Sequence, residues 1–243
     1  MNIESYYYVI WAAAFATAIV SAVVGMLGGT LLISVMAQFL KMEVLIPLHG
    51  LVQLSSNFSR AWILRSYIHR QITIECVVGV IVGAILGGTF IVKIPEDKYN
   101  LFLGVFILLI TLKPKFKLPM VPQKGKWGLV GLVASWLGLY VGAVGVFLGS
   151  VFLTENLEKK VHVSTQAACQ SVLHFFKVLV FVFLGFSVGP WLVLIGGALL
   201  MTYAGTWIGT RILDRVPEKL FKQIFTGIVI VLALRLVWQG LGF

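Results

Sequence analysis

Two apolar stretches of this sequence carry polar side chains at a spacing that only a helix turns into a single face. His49, Gln53, Asn57 and Arg60 follow one another at intervals of four, four and three residues, and Gln166, Gln170, His174 and Lys177 repeat those intervals 117 positions later. At 3.6 residues per turn, each set lines one side of its helix. The two stripes hold amides, imidazoles and one cationic head each, and no carboxylate. That chemistry suits an oxyanion better than a metal ion or an amine, so no metal or cofactor is expected. Within hydrocarbon such a stripe is costly unless it faces a partner helix or a water-filled cavity, and its default reading is functional. Other readings stay open. Arg60 lies about four residues, roughly 6 Å, from the end of its apolar run, near enough to extend its head to the interface. Gln53, Asn57 and Gln170 can equally hydrogen-bond between helices. His174 and Lys177 lie deeper, where a functional role is favoured.

The elements that must position these residues are membrane spans. Of 243 residues, 59 % are hydrophobic and 12 % charged, about half the charged fraction usual in soluble domains. Mean hydropathy is +0.99. This composition excludes a soluble globular protein and implies a multi-pass protein of the cell membrane, with the lipid bilayer as its solvent. A helix of about 20 apolar residues crosses the hydrocarbon, and apolar runs occupy 8–40, 44–64, 72–92, 99–112, 127–153, 161–184, 190–212 and 220–241. The first run, at 1.5 Å per residue, would reach roughly 50 Å as a straight helix. It is expected to break at Gly25-Met26-Leu27-Gly28-Gly29, opening a second helix near Thr30. The N-terminus of that helix would offer unsatisfied N–H groups to an anion, and Gly142 and Gly145 would supply the mirrored site. No Lys or Arg precedes Lys41, so the first run is expected to stay in the fold rather than be removed as a leader. Aromatic residues at run ends, Tyr6 to Tyr8, Trp127 and Trp191, read as interfacial anchors. Gly83-xxx-Gly87 and Gly205-xxx-Gly209 read as small-residue packing faces, and Cys76 and Cys169 as buried and inert.

A lysine- and proline-rich linker, 113–126, divides the chain into a first transmembrane repeat at 1–112 and a second at 127–243. A shift of 117 places Gly25 and Gly28 on Gly142 and Gly145, Gln53 on Gln170 and Arg60 on Lys177; a shift of 122 places Gly83 and Gly87 on Gly205 and Gly209. Few positions are identical, but the matches fall at glycines and intramembrane polar groups. Charge decides the relative orientation of the halves. The net charge of +10 would suggest nucleic acid in a soluble chain; here no nucleic-acid partner is expected, because Lys and Arg set topology. Inverted repeats put Arg65, Arg70, the five linker lysines, Lys159, Lys160, Arg211, Arg215, Lys219 and Lys222 inside, against Lys41, Lys93 and Lys98 outside. Parallel repeats give no inside excess. The expected fold is therefore all-α, with two inverted repeats whose first segments are broken at glycines, the plan of many secondary transporters.

The stretch Gly25-Met-Leu-Gly-Gly-Thr-Leu-Leu32 through His49 to Arg60, with a degenerate second copy from Gly142-Ala-Val-Gly145 to Lys177, resembles the TauE/SafE family of sulfite exporters. The resemblance spans nearly the whole chain. It implies transport of a small sulfur-containing anion such as sulfite, thiosulfate or an organosulfonate. The glycine motif is thinner than the family's denser G-x-G-G-G form, and Val146 replaces a glycine in the second copy.

No acidic residue falls deep within an apolar run, which argues against a carboxylate proton relay and leaves His49 and His174 as the groups able to carry a proton. Outward movement of an anion needs no coupling ion, since an interior-negative potential favours it by about 2.3 kcal/mol per charge per 100 mV. The leading expectation is a secondary exporter working by alternating access around the two stripes. An intramembrane enzyme is the first alternative, although no HExxH, paired carboxylates or G-x-S-x-G serine is present. A structural or assembly subunit without a pathway is the second, and it leaves the matched stripes without a purpose. The anion's identity and the oligomeric state are not set by the sequence.

Overall fold

The computed structural model describes residues 4–89, 96–112, 125–142, 144–152, 155, 157–215 and 218–242. Within these residues the chain is all-α: α1 (Ser5–Val24), α2 (Gly28–Met36), α3 (Met42–Ile63), α4 (Arg70–Thr89), α5 (Glu96–Leu112), α6 (Lys126–Val141), α7 (Gly145–Phe152), α8 (Lys159–Phe183), α9 (Leu192–Ile212) and α10 (Glu218–Gly240). Most of the linker, 113–124, lies outside the described residues, as do Lys93, Pro95 and Pro217. Ser5–Val24, Arg70–Thr89, Lys159–Phe183 and Gly189–Ile212 are long and apolar enough to cross a membrane. α3 has the length but is diluted by its polar stripe.

The long first run breaks where its length and glycines require. α1 ends at Gly25 with φ 78°, a backbone conformation that costs glycine little. Leu27 follows at φ 71° and ψ −38°, and the Gly28 N–H reaches back 2.9 Å to the Met26 carbonyl. This is the rare, strained hand of the three-residue turn. It starts α2 at Gly28, two residues before the expected position. Run 127–153 also breaks at the equivalent glycine, Gly142 with φ 74°, and resumes as α7 at Gly145, but Val144, the counterpart of Leu27, is not left-handed.

Glycine seams join the full-length helices. The backbones of Gly79 and Gly83 on α4 lie against Gly128 and Leu132 on α6, and Gly205 and Gly209 on α9 lie against Phe15 and Ile19 on α1. Residue numbers rise together in both pairs, so each pair runs parallel. In contrast, α3 and α8 run antiparallel: His49 meets His174 near one end, and Leu64 packs with Val163 near the other. α5 and α10 are antiparallel too, Gly104 meeting Ala233 while Gly240 meets Leu101. The contacts also exchange under a half-chain shift, since α1 on α9 has its counterpart in α6 on α4, and α3 on α9 in α8 on α4.

Two large apolar clusters fill the interior, one centred on α2, α3, α5 and α10 with residues of α1, α6 and α9, the other on α4, α6, α7 and α8 with the C-terminal turn of α1. Trp127 belongs to the second, 4 % exposed with its ring 4.2 Å from that of Phe152. It is a core residue rather than an interfacial anchor, because α6 presses this end of its run against α7. Tyr7 is likewise buried, whereas its neighbour Tyr8 is exposed.

Candidate functional site

α3 and α8 bring the two polar stripes together inside the protein. All eight stripe residues are buried, none more than 5 % exposed. The rings of His49 and His174 meet edge to face, with centroids 5.9 Å apart. The cationic residue of α8 also leans on α3: the Lys177 side chain lies against Gly50, where a Cβ would come within 2.8 Å of Cε.

Each stripe grips the start of a short helix. His49 Nε2 lies 2.9 Å from the Gly29 carbonyl in the first turn of α2. A carbonyl only accepts, so Nε2 holds the proton of the neutral ring and Nδ1 is left as an acceptor. On the other side, Gln166 Nε2 donates to the Gly145 carbonyl at 3.0 Å, and its Oε1 faces His162 Nε2 at 3.0 Å. The amides of Gln53 and Gln170 pack over Gly29 and Gly145, where an added Cβ would sit 3.3 and 3.4 Å from them. The first turns of α2 and α7 therefore face the stripes at Gly29 and Gly145.

The cations close the preceding helices. Arg60 donates to the Ser21 carbonyl and to Asn57 Oδ1, while Asn57 Nδ2 donates to the Gln53 carbonyl at 2.8 Å. Lys177 Nζ donates to the Gly142 carbonyl at 3.0 Å. Ser21 and Gly142 lie at the C-terminal ends of α1 and α6, where the negative end of the helix dipole favours a cation; the Ser21 carbonyl accepts from the Gly25 N–H as well. Neither head extends to an interface, so Arg60 does not snorkel.

Several polar atoms are nevertheless left over. Thr30 Oγ1, His49 Nδ1, Arg60 Nε, Gln170 Nε2 and His174 Nδ1 are buried without a hydrogen-bond partner. Five such atoms on the facing stripes and the first turn of α2 are far denser than the rare exceptions in an ordinary interior. The arrangement supplies N–H donors from an amide, a guanidinium and helix ends, a hydroxyl, and imidazole nitrogens able to act as acceptors.

Of the residues read from the sequence, the structure sets Gly29 against His49 and Gln53, Gly145 against Gln166 and Gln170, Gly142 against His49 and Lys177, and Gly25 against Gln166, while Gly28 packs on α1. Gly25 and Gly28 act through close approach, since a Cβ on Gly28 would strike the Thr17 carbonyl and the Ser21 side chain. Three participants were not anticipated. His162 extends the second stripe by one turn, and the same four-residue spacing would have found it. Ser21 contributes a main-chain carbonyl and Leu27 a main-chain turn, for which residue type carries no signal.

Comparison with curated proteins and with solved structures finds no match. The model of the family described as sulfite exporter TauE/SafE matches residues 10–236, most of the chain, across both broken segments and both stripes. The chain belongs to the sulfite exporter TauE/SafE family of membrane transporters.

Proposed function

We propose that this chain is a secondary transporter that carries a small sulfur oxyanion, such as sulfite, thiosulfate or an organosulfonate, outward across the cell membrane by alternating access around the paired stripes. The observation that carries the proposal is the set of unpartnered buried atoms beside two helix starts. An oxyanion has acceptor oxygens for Arg60 Nε, Gln170 Nε2, the Thr30 hydroxyl and the first-turn N–H groups, whose dipole ends also favour its charge. His49 Nδ1, held as an acceptor by the bond at Gly29, suits a protonated form such as hydrogensulfite. Removing the anion's water is offset by preplaced donors in a low-dielectric interior.

In this reading 1–112 and 127–243 are inverted repeats. The antiparallel crossing of α3 and α8, the antiparallel pair α5 and α10, and the exchange of contacts between halves support inversion. The substrate site then lies at the repeat interface, and rocking of one repeat against the other exposes it alternately. One end is closed by Leu64, Val163 and Leu213, by Lys159 Nζ on the Leu213 carbonyl at 2.6 Å, and by the Lys160–Asp214 ion pair at 2.9 Å. Arg65, Lys159, Lys160, Arg211 and Arg215 share this end, which the positive-inside rule makes cytoplasmic.

A ligand that binds the folded state raises its apparent stability. Screening sulfite, thiosulfate, sulfate and short sulfonates against the detergent-purified chain should therefore show a rise in melting temperature for at least one sulfur oxyanion over chloride at equal ionic strength. A chain that none of them stabilises would remove sulfur oxyanions as its substrate class.

A further inference from the structure

We propose that the exposed sides of α3 and α9 form, at the end where Leu64 packs with Leu213, a seat for anionic phospholipid whose phosphate is held by Arg65 and Arg211. The two helices reach this end together. The Ser55 and Thr202 hydroxyls lie 3.2 Å apart, those of Ser56 and Thr206 3.5 Å apart, and Leu64 shares a cluster with Leu213. Residue numbers rise together along these contacts, so α3 and α9 are parallel and both finish here.

Each helix presents a stripe that changes from apolar to aromatic to cationic toward this end. On α9, Leu200, Tyr203, Trp207 and Arg211 follow at intervals of three, four and four, and all are exposed. On α3 and just past its end, Phe58, Trp62 and Arg65 follow at four and three, and these are exposed too. The guanidinium carbon of Arg211 lies 3.5 Å from the centre of the Trp207 ring, and that of Arg65 lies 5.2 Å from the Trp62 ring. A guanidinium over a ring face is held there by the ring's electrons while its N–H fork stays free to meet a phosphate bidentately. Arg65 places one N–H on the Trp62 carbonyl at 3.2 Å, and among the described residues no carboxylate pairs with either head. Tryptophan sits at the depth of lipid headgroups, so the stripes offer apolar surface to an acyl chain on one side of the rings and cationic donors to the headgroup on the other.

Charge selects the class of lipid. Arg70 and Arg215 are exposed close by, and Asp214 is occupied by Lys160 at 2.9 Å. The excess of positive charge favours an anionic headgroup over a zwitterionic one.

The stripes are not a by-product of the repeat. A shift of 122 brings Leu200, Tyr203, Trp207 and Arg211 onto Val78, Ile81, Ile85 and Thr89 of α4, and a shift of 117 brings Phe58, Trp62 and Arg65 onto Phe175, Leu179 and Val182 of α8. Neither counterpart holds a tryptophan or a cation. The seat therefore serves one leaflet, which the proposed orientation makes the inner one. Only that side assignment rests on the transport reading; lipid binding does not.

The test titrates the full-length protein in detergent with phosphatidylglycerol and, separately, with phosphatidylcholine of the same acyl chains, and counts bound lipid by native mass spectrometry. The wild type should bind phosphatidylglycerol about ten-fold more tightly, as expected where two cations meet one anionic headgroup. The double variant Arg65→Gln/Arg211→Gln should lose that preference, and Trp207→Leu, which removes the ring beneath Arg211, should reduce it. Arg70→Gln takes the same charge from the same end without touching a stripe and should keep it. Full preference with no transport activity would leave the seat standing and remove the transport reading. A wild type without preference, an Arg70→Gln variant as impaired as the double variant, or a second copy of the chain retained in place of lipid would overturn the proposal.

Discussion

Arg60 and Lys177 occupy equivalent places in the two halves but close their helices by different means. The guanidinium spans two acceptors, the Ser21 carbonyl and Asn57 Oδ1, whereas the ammonium meets the single carbonyl of Gly142. A planar fork is not replaced by a point charge. The Ser21 carbonyl keeps the Gly25 N–H, so Arg60→Lys, with its ammonium on that carbonyl, should leave Asn57 Oδ1 unpaired and lower stability by about 1–3 kcal/mol, read as a lower melting temperature in detergent. An unchanged melting temperature would mean that the second acceptor contributes nothing. The stripes themselves were legible in the sequence, because four polar residues at helical spacing in an apolar run are rare. Their partners were not. Arg60 and Lys177 bind main-chain carbonyls, which no residue type marks, and the choice between interface and interior for Arg60 depended on where α1 ends.

At the scale of elements, the breaks were legible from length and glycine content, and they fall at Gly25 and Gly142 as the half-chain shift requires. The start of α2 was misplaced by two residues because the turn at Leu27 relies on backbone conformation rather than on a residue suited to it. Trp127 was misread because an aromatic residue at the end of an apolar run looks the same whether lipid headgroups or a neighbouring helix covers it. The close approach of α1 and α2 gives a sharp prediction. Gly28→Ala places a methyl on the Thr17 carbonyl and the Ser21 side chain, and strain of this kind costs about 1–3 kcal/mol. Gly196→Ala on α9 meets no atom within 4 Å and exchanges glycine for a better helix former, a gain of up to about 1 kcal/mol. Thermal melts of the two variants should move in opposite directions. Equal shifts would mean that the α1–α2 corner is looser than described.

For the whole molecule, the sequence argues for inversion of the halves only through a charge count, since few residues repeat. Helix direction adds an independent indication, because two copies related by an axis along the membrane normal would cross α3 and α8 in parallel rather than antiparallel. Single cysteines introduced on a background lacking Cys76 and Cys169 test it. In intact cells Lys41→Cys should react with an impermeant maleimide added outside, and Arg65→Cys only after permeabilisation; equal labelling of both before permeabilisation would exclude the orientation. Transport in this way requires that the facing stripes form the anion's path. Efflux of radiolabelled sulfur oxyanion from proteoliposomes, measured for the wild type, His174→Ala and Lys177→Ala at equal folded protein, tests that claim most directly. Loss of at least nine-tenths of the flux in both variants is the predicted result, and wild-type flux in both would contradict it.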